Sequence, residues 1–214
     1  MNVNKLGIKL LKDNFSITGD YEAPNYKYWT YDWRVSFDKA SKYNSWNSKG
    51  YKKRFFKIAG SIFPNDNLKL QSEFRVKKEK EWLNWIDANN LAVYDLNQRI
   101  VSFNLNWFRG NKHEIRLKSQ FVALEAKRPR ALFTDVNGTL LDLNKQISSF
   151  SNGINSFQIR YKYEIAPLSN IYLVYTKGGN VYEEDDDRSF SEILKDPWEN
   201  PDNEILSIKF RLKY

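Results

Sequence analysis

Cysteine is absent from the 214 residues, and methionine and histidine occur once each. Without cysteine no disulfide framework can form, so cysteine carries no compartment signal. One histidine excludes a His-based triad and a multi-histidine metal site by count, and the missing thiols exclude a cysteine nucleophile and thiolate ligands. His113 follows the turn-like run Arg109-Gly110-Asn111-Lys112 and reads as a turn residue, not as a base. Long apolar runs are also missing. Mean hydropathy is −0.68, and no segment approaches the roughly 20 apolar residues of a membrane-spanning helix. A β-barrel escapes that test, because only alternate residues of its strands need be apolar.

Other chemistry is thinly represented. Gly178-Gly179 is not followed by the Gly-Lys-Ser/Thr pattern of a phosphate loop. The acidic run Glu183-Glu184-Asp185-Asp186-Asp187 could meet a divalent ion, but it lacks the glycine and spaced ligands of an EF-hand. Its bland reading is a solvated loop. Carboxylates are plentiful enough for a glycosidase pair, yet nothing singles one out. The expectation is no catalytic residue, no metal and no cofactor.

What the sequence has is alternation and positive charge. There are 34 lysines and arginines against 26 acids, a net charge of +8. A nucleic-acid surface gathers its cations into one patch with exposed aromatics. Here the cations alternate with apolar residues along strands, so no nucleic-acid partner is expected. The closing stretch shows the pattern most cleanly. Leu206, Ile208, Phe210, Leu212 and Tyr214 fall on one side of an extended strand, and Ser207, Lys209, Arg211 and Lys213 on the other.

Further runs repeat it. Alternating segments are predicted over Leu6–Thr18 (irregular at Leu10-Leu11), Tyr31–Asp38, Phe56–Ile62, Leu68–Lys77, Val101–Trp107, Ile115–Ala123, Phe157–Ile165 and Ile171–Thr176. The fold class is all-β, an antiparallel up-and-down meander, read as a transmembrane outer-membrane β-barrel or the C-terminal part of one. The connections alternate short and long. Short turns fall at 19–25, 64–67, 109–112 and 166–169; longer stretches fall at 39–50 and at about 78–97, 125–153 and 178–203. Outer-membrane barrels sort their connections in this way, with short periplasmic turns and long extracellular loops. The long stretches are therefore expected to be extracellular loops.

About nine strands result, whereas single-chain bacterial barrels have even numbers. An odd number of strands is therefore expected upstream. Lys5, Lys9 and Lys12 interrupt the N-terminal apolar residues, so Met1–Leu6 does not begin a signal peptide. Both points lead to one expectation: residues 1–214 are a single barrel region, the C-terminal portion of a larger barrel whose export signal lies elsewhere.

In a barrel, Lys69, Glu73, Arg75, Arg116, Lys118, Arg160, Lys162, Glu164, Lys209, Arg211 and Lys213 project into the lumen. Their cationic balance favours anions in an open channel, or pairs with inward acids to close it. Trp29, Trp33, Trp46 and Trp107 suit interfacial girdles. Trp82, Trp85 and Trp198, with Asp185, Asp186 and Asp187, are the loop candidates for ligand contact, carbohydrate included. Lys127-Arg128-Pro129-Arg130 would lie on the outer side, against lipid phosphate or as plain loop.

The closing strand resembles the C-terminal signature of bacterial outer-membrane barrels, in which Phe210, Leu212 and Tyr214 would be read by the barrel-assembly machinery. The stretches Phe157–Gly178 and Glu114–Ala126 resemble the C-terminal barrel domain of unknown function 5916 of Gram-negative proteins. The resemblance is most specific from about Val101 to Tyr214. That family often carries an N-terminal module similar to family 9 carbohydrate-binding modules, which has no counterpart here. The resemblance implies a bacterial outer-membrane location, contact with lipid and lipopolysaccharide, and a non-catalytic surface, transport or anchoring role linked to carbohydrate or polymer use. Any hydrolase or carbohydrate-binding label would belong to the module. Two other readings stay open: a soluble, lipocalin-like ligand-binding barrel with its apolar faces inward and a cationic exterior, and an enzyme on a β scaffold.

Overall fold

A computed structural model describes residues 3–11, 14–40, 52–137, 140–185 and 187–213. The strands are β1 (Val3–Leu11), β2 (Asn14–Glu22), β3 (Trp29–Ala40), β4 (Lys52–Asn65), β5 (Leu68–Asp87), β6 (Asn90–Arg109), β7 (His113–Thr134), β8 (Leu140–Asp142), β9 (Phe150–Ala166), β10 (Ser169–Glu184) and β11 (Asn203–Arg211), with one helix, α1 (Phe190–Glu199). They form one antiparallel sheet in sequence order, with the short β8 as a side branch on β7. The expected all-β meander is what the chain builds. Among the described residues β1 pairs only with β2 and β11 only with β10, so the sheet is open at both edges.

Four sequence expectations change. Leu6–Thr18 is not one strand. It belongs to two, β1 and β2, which pair from Val3↔Glu22 to Leu11↔Asn14. The irregularity at Leu10-Leu11 marks the approach to that reversal. The main path therefore has an even number of strands, and both edges run in the sense that puts residue 3 and residue 211 at the same end. The stretch 78–97 is not an open loop either. β5 and β6 continue as a hairpin to a turn at 88–89, with bulges between Glu79 and Trp82 and between Trp85 and Asp87. Likewise 125–153 holds the end of β7, the strand β8 and the start of β9, and 178–203 holds the end of β10 and all of α1.

The connections still sort by end. One end, the turn end, carries residues 23–28, 66–67, 110–112 and 167–168. At the other, the loop end, β1, β3, β5, β7 and β10 finish and β2, β4, β6, β9 and β11 start, and it carries the turn 88–89, the strand β8 and the helix α1. At the turn end Pro167-Leu168 reverses the chain, with Leu168 at φ 64°. Proline presets the first corner, and a left-handed second corner favours glycine. The Leu168 side chain is 56% exposed, so it gives up little packing. Leu168→Gly is expected to stabilise the chain by about 0.5–1 kcal/mol. A urea midpoint that moves down would contradict this.

Most of the buried hydrophobic residues lie at the loop end. Ala92, Tyr94 and Ala126 form a cluster, joined by Trp82, Leu124, Ile147 and Phe150. The ring of Tyr94 meets Trp82 at 6.2 Å and Phe150 at 5.1 Å. Beneath this cap the sheet has no conventional core, and the reason lies in its two faces.

Candidate functional site: two faces of one sheet

Cross-strand partners share a face, so the register assigns every strand residue to a side. One row runs Ile62, Leu70, Leu105, Leu117, Ile159, Tyr175 and Leu206. The row next to it, toward the turn end, runs Leu68, Trp107, Ile115, Tyr161, Leu173 and Ile208. Trp33, Ile58, Phe74, Val101 and Phe121 form another row of the same face, nearer the loop end. The apolar positions thus merge into a continuous band. Its height on β5, Leu68 to Val76, matches the roughly 9–11 residues a tilted transmembrane strand requires.

The band is largely uncovered by the chain itself. Val35 is 45% exposed, Ile58 45%, Ile62 54%, Leu206 67%, Ile208 61% and Phe210 63%. A water-soluble monomer rarely leaves contiguous apolar patches beyond a few hundred Å². Aromatics crowd the turn-end margin. Tyr26, Trp29 and Tyr31 stack in series at 4.4 and 5.6 Å, and Tyr21 meets Tyr31 at 5.5 Å. Further along, His113 packs against Tyr163 at 5.0 Å, and its Nδ1 lies 2.6 Å from the Tyr161 hydroxyl. The lone histidine opens β7 within this aromatic margin. Trp29, Trp33 and Trp107 lie on the apolar face, Trp33 directly opposite Ile58 within the band and not at its margin; Trp46 lies outside the described residues.

The opposite face is polar. Lys69, Glu73, Arg75, Arg116, Lys118, Arg160, Lys162, Glu164, Lys209 and Arg211 all fall on it by register. Lys213 lies just beyond β11, where its backbone N–H donates to Ser169 Oγ at 3.1 Å. Hollows in the sheet lie on this side. One, of about 490 Å³, is lined by Glu73, Arg75, Asn104, Lys118, Gln120 and Gln158 among others.

Two carboxylates organise the polar face. Glu73 contacts Arg75 and lies 3.5 Å from Lys57, which also reaches Asp32 at 2.7 Å. Glu114 contacts Arg116 and holds Arg160 at 3.1 Å. Among the described residues Lys118, Lys162, Lys209 and Arg211 have no acidic partner, which leaves the face net cationic. Toward the loop end the same face turns apolar, where Leu124 and Phe150 join the cap under Ile147.

The loop candidates separate. Trp82 is committed to the cap. Trp198 packs on Phe121 at 6.1 Å and Phe157 at 5.5 Å, with Lys177 Nζ 4.7 Å from its ring centre. Trp85 is 64% exposed, its indole N–H donating to the Ala88 carbonyl at 3.1 Å. Asp185 is a structural cap, accepting from Ser148 Oγ at 2.9 Å and from Ser149 N at 3.1 Å. Asp187 is exposed; Asp186 and Tyr214 lie outside the described residues. Phe210 projects on the apolar face.

The basic run 127–130 is used internally. Lys127 pairs with Glu125 at 3.1 Å, Arg128 with Asp95 at 2.9 Å, and Arg130 with Glu81 at 2.7 Å as well as with Asp142. Burial opposes the charge of Arg130, but the hydrogen bonds to Glu81 and Asp142 outweigh it and hold the guanidinium above its ordinary value.

Helix α1 lies within the stretch 178–203, which the sequence predicts to be loop. Its signal is Ser189-Phe190-Ser191-Glu192, a capping box in which Ser189 Oγ accepts from Glu192 N and Glu192 accepts from Ser189 N at 2.7 Å. The helix lies on the apolar face over Ala123, Gly153 and Gly179. A Cβ on Gly153 would stand 2.2 Å from the Ile193 carbonyl, and one on Gly179 2.3 Å from the Pro197 carbonyl. Pro197 has no N–H to bond back to Ile193, so that carbonyl is free to sit against the glycine.

No family model matches the chain, and no curated protein matches it. Among solved structures it is similar to the unliganded crystal structure of the ferric citrate transporter FecA, with a TM-score of 0.46 and 8% identity over 92% of this chain. The match covers 32% of that protein, so this chain spans about a third of its length. A likeness at this level assigns no residue and no activity.

Proposed function

We propose that this chain is the C-terminal part of a bacterial outer-membrane β-barrel, with its apolar face toward lipid and its polar face lining a lumen. The observation that carries the reading is the uncovered apolar band with its aromatic margin, set back to back with a cationic polar face. A soluble lipocalin-like barrel requires the opposite arrangement, with apolar side chains packed inside. The two unpaired edges, β1 and β11, support a barrel completed by further strands. The role is non-catalytic: surface display, anchoring or transport, linked to carbohydrate or polymer use as the family resemblance implies. The excess of lysine and arginine on the polar face favours anionic solutes.

The natural absence of cysteine makes the test clean. Phe103→Cys and Ile208→Cys are expected to resist a membrane-impermeant maleimide in outer-membrane preparations and to react after urea extraction. Gln71→Cys, on the polar face, is expected to react in both. Rapid labelling of Phe103→Cys and Ile208→Cys in the native preparation would overturn the proposal.

A further inference from the structure

The apolar band does not end the same way at both margins. Toward the turn end it finishes in aromatics. Toward the loop end, on β3 to β6, it finishes in cations. Following each strand up the apolar face, Phe37 gives way to Lys39, Phe56 to Arg54 and Lys52, Val76 to Lys78 and Lys80, and Val101 to Arg99. These six cations belong to four strands, yet the register brings them together. Lys39 is directly opposite Lys52, Lys52 opposite Lys80, and Arg54 opposite Lys78. Arg99 stands one step below, its guanidinium 3.8 Å from the centre of the Phe190 ring of α1.

Like charges placed directly across a sheet destabilise it. Here three such pairs adjoin, and the other residues in the same rows of β3 to β6 are Phe37, Asn97 and Asp95, the last of which pairs with Arg128 at 2.9 Å. Among the described residues none of the six is in an ion pair. The connection 41–51 supplies no carboxylate, since its sequence contains neither aspartate nor glutamate. Lys127, Arg128 and Arg130, also at this end, have acidic partners. The one acid in these rows is thus engaged by Arg128, and the six cations stand without an acidic partner among the described residues, at the boundary between an apolar band and the polar zone above it.

We infer that this cluster is a docking site for a phosphorylated lipid of the outer leaflet. Its phosphates would lie on Arg54, Lys52, Lys78 and their neighbours, and its acyl chains on Phe56, Val76 and Val101 below. Charge complementarity and the adjoining apolar surface select one occupant: an anionic headgroup carried on hydrocarbon. A free anion would use the cations alone, and the apolar floor would add nothing. The site rests on the membrane reading, since it needs the band to be in lipid.

The test uses the full chain reconstituted in vesicles doped with diphosphorylated lipid A, or with the same lipid dephosphorylated. Lipid retained on the purified protein is measured by native mass spectrometry. The natural chain is expected to retain the phosphorylated form, and excess inorganic phosphate is expected not to displace it. The triple variant Lys52→Ala, Arg54→Ala, Lys78→Ala is expected to lose about tenfold or more of that retention. The polar-face pair Lys118→Ala, Lys162→Ala is expected to keep it. The heat-dependent gel shift of each sample reports insertion separately. Where the triple does not insert, Arg54→Gln with Lys78→Gln preserves side-chain length and is read in the same way. An inserted variant with unchanged retention overturns the site alone. Displacement by inorganic phosphate overturns the lipid occupant. A natural chain with no heat shift overturns the membrane reading and the site with it.

Discussion

Ile58→Arg is expected to cost about 2–4 kcal/mol, the cost of placing a cation on the lipid face near the bilayer midplane. Ile58 sits between Gly60 and Phe56 on β4, 45% exposed, in the middle of the apolar band. In water such an exposed position tolerates substitution to within about 0.5 kcal/mol. The size of the effect therefore reports the solvent. Ser102→Arg is the matched control. Ser102 is the cross-strand partner of Glu73 on the polar face, where a new guanidinium meets a carboxylate. It is expected to fold and assemble as the natural chain does. Urea titration of both variants in detergent-extracted outer membranes measures the difference. Equal, small effects would mean that the band faces water.

Gly179→Val is the second large expectation. The added side chain has no room, because its Cβ alone would lie 2.3 Å from the Pro197 carbonyl and 3.1 Å from that of Asn200. These are backbone atoms, so a rotamer change gives no relief. Helix α1 must lift, exposing Ile193, now 1% exposed, and drawing Trp198 away from Phe121 and Phe157. Loss of that burial is worth about 3 kcal/mol or more. Limited proteolysis is expected to cut within 188–202 in the variant and to spare the natural chain. Gly60→Ala provides the contrast. Its Cβ would make an ordinary 3.6 Å contact with Thr30 O and is expected to be tolerated. Protection of 188–202 in the Gly179 variant would show that the helix does not depend on the notch.

The sequence carried the strands of the band because the period of two survives in every one of them. Leu206, Ile208 and Phe210 read directly as a face, and the structure adds only their partners. The polar set, Lys69 through Arg211, followed from the same alternation. The loop end was harder to read. Beyond the band the strands β5, β6 and β7 continue, but they no longer alternate apolar with polar. Lys78-Glu79-Lys80-Glu81 looks like solvated loop, and the bulge at Glu81, with φ 63°, shifts the phase before Trp82. Helix α1 is short and contains a proline; only its capping box announces it. The cationic cluster was invisible for a different reason. Lys39, Arg54, Lys78 and Arg99 are far apart in sequence, and only the register makes them neighbours. Each lies two positions from the outermost apolar residue of its strand on that face, Lys39 and Lys78 after it and Arg54 and Arg99 before it, and that spacing is the signal the sequence offers.

The tenth strand of the path changes the barrel argument as well. An odd count had implied an odd number of strands elsewhere. The division of Leu6–Thr18 into β1 and β2 makes the count even and returns both edges to the same end. Among the described residues both edges of the sheet are unpaired, which in water would be a liability for aggregation.

The most direct measurement is the apparent mass of the native product in outer-membrane fractions, run on a gel with and without boiling. A heat-shifted band well above 25.4 kDa, the mass of this chain alone, is expected. A soluble product near 25.4 kDa with no heat shift would contradict it.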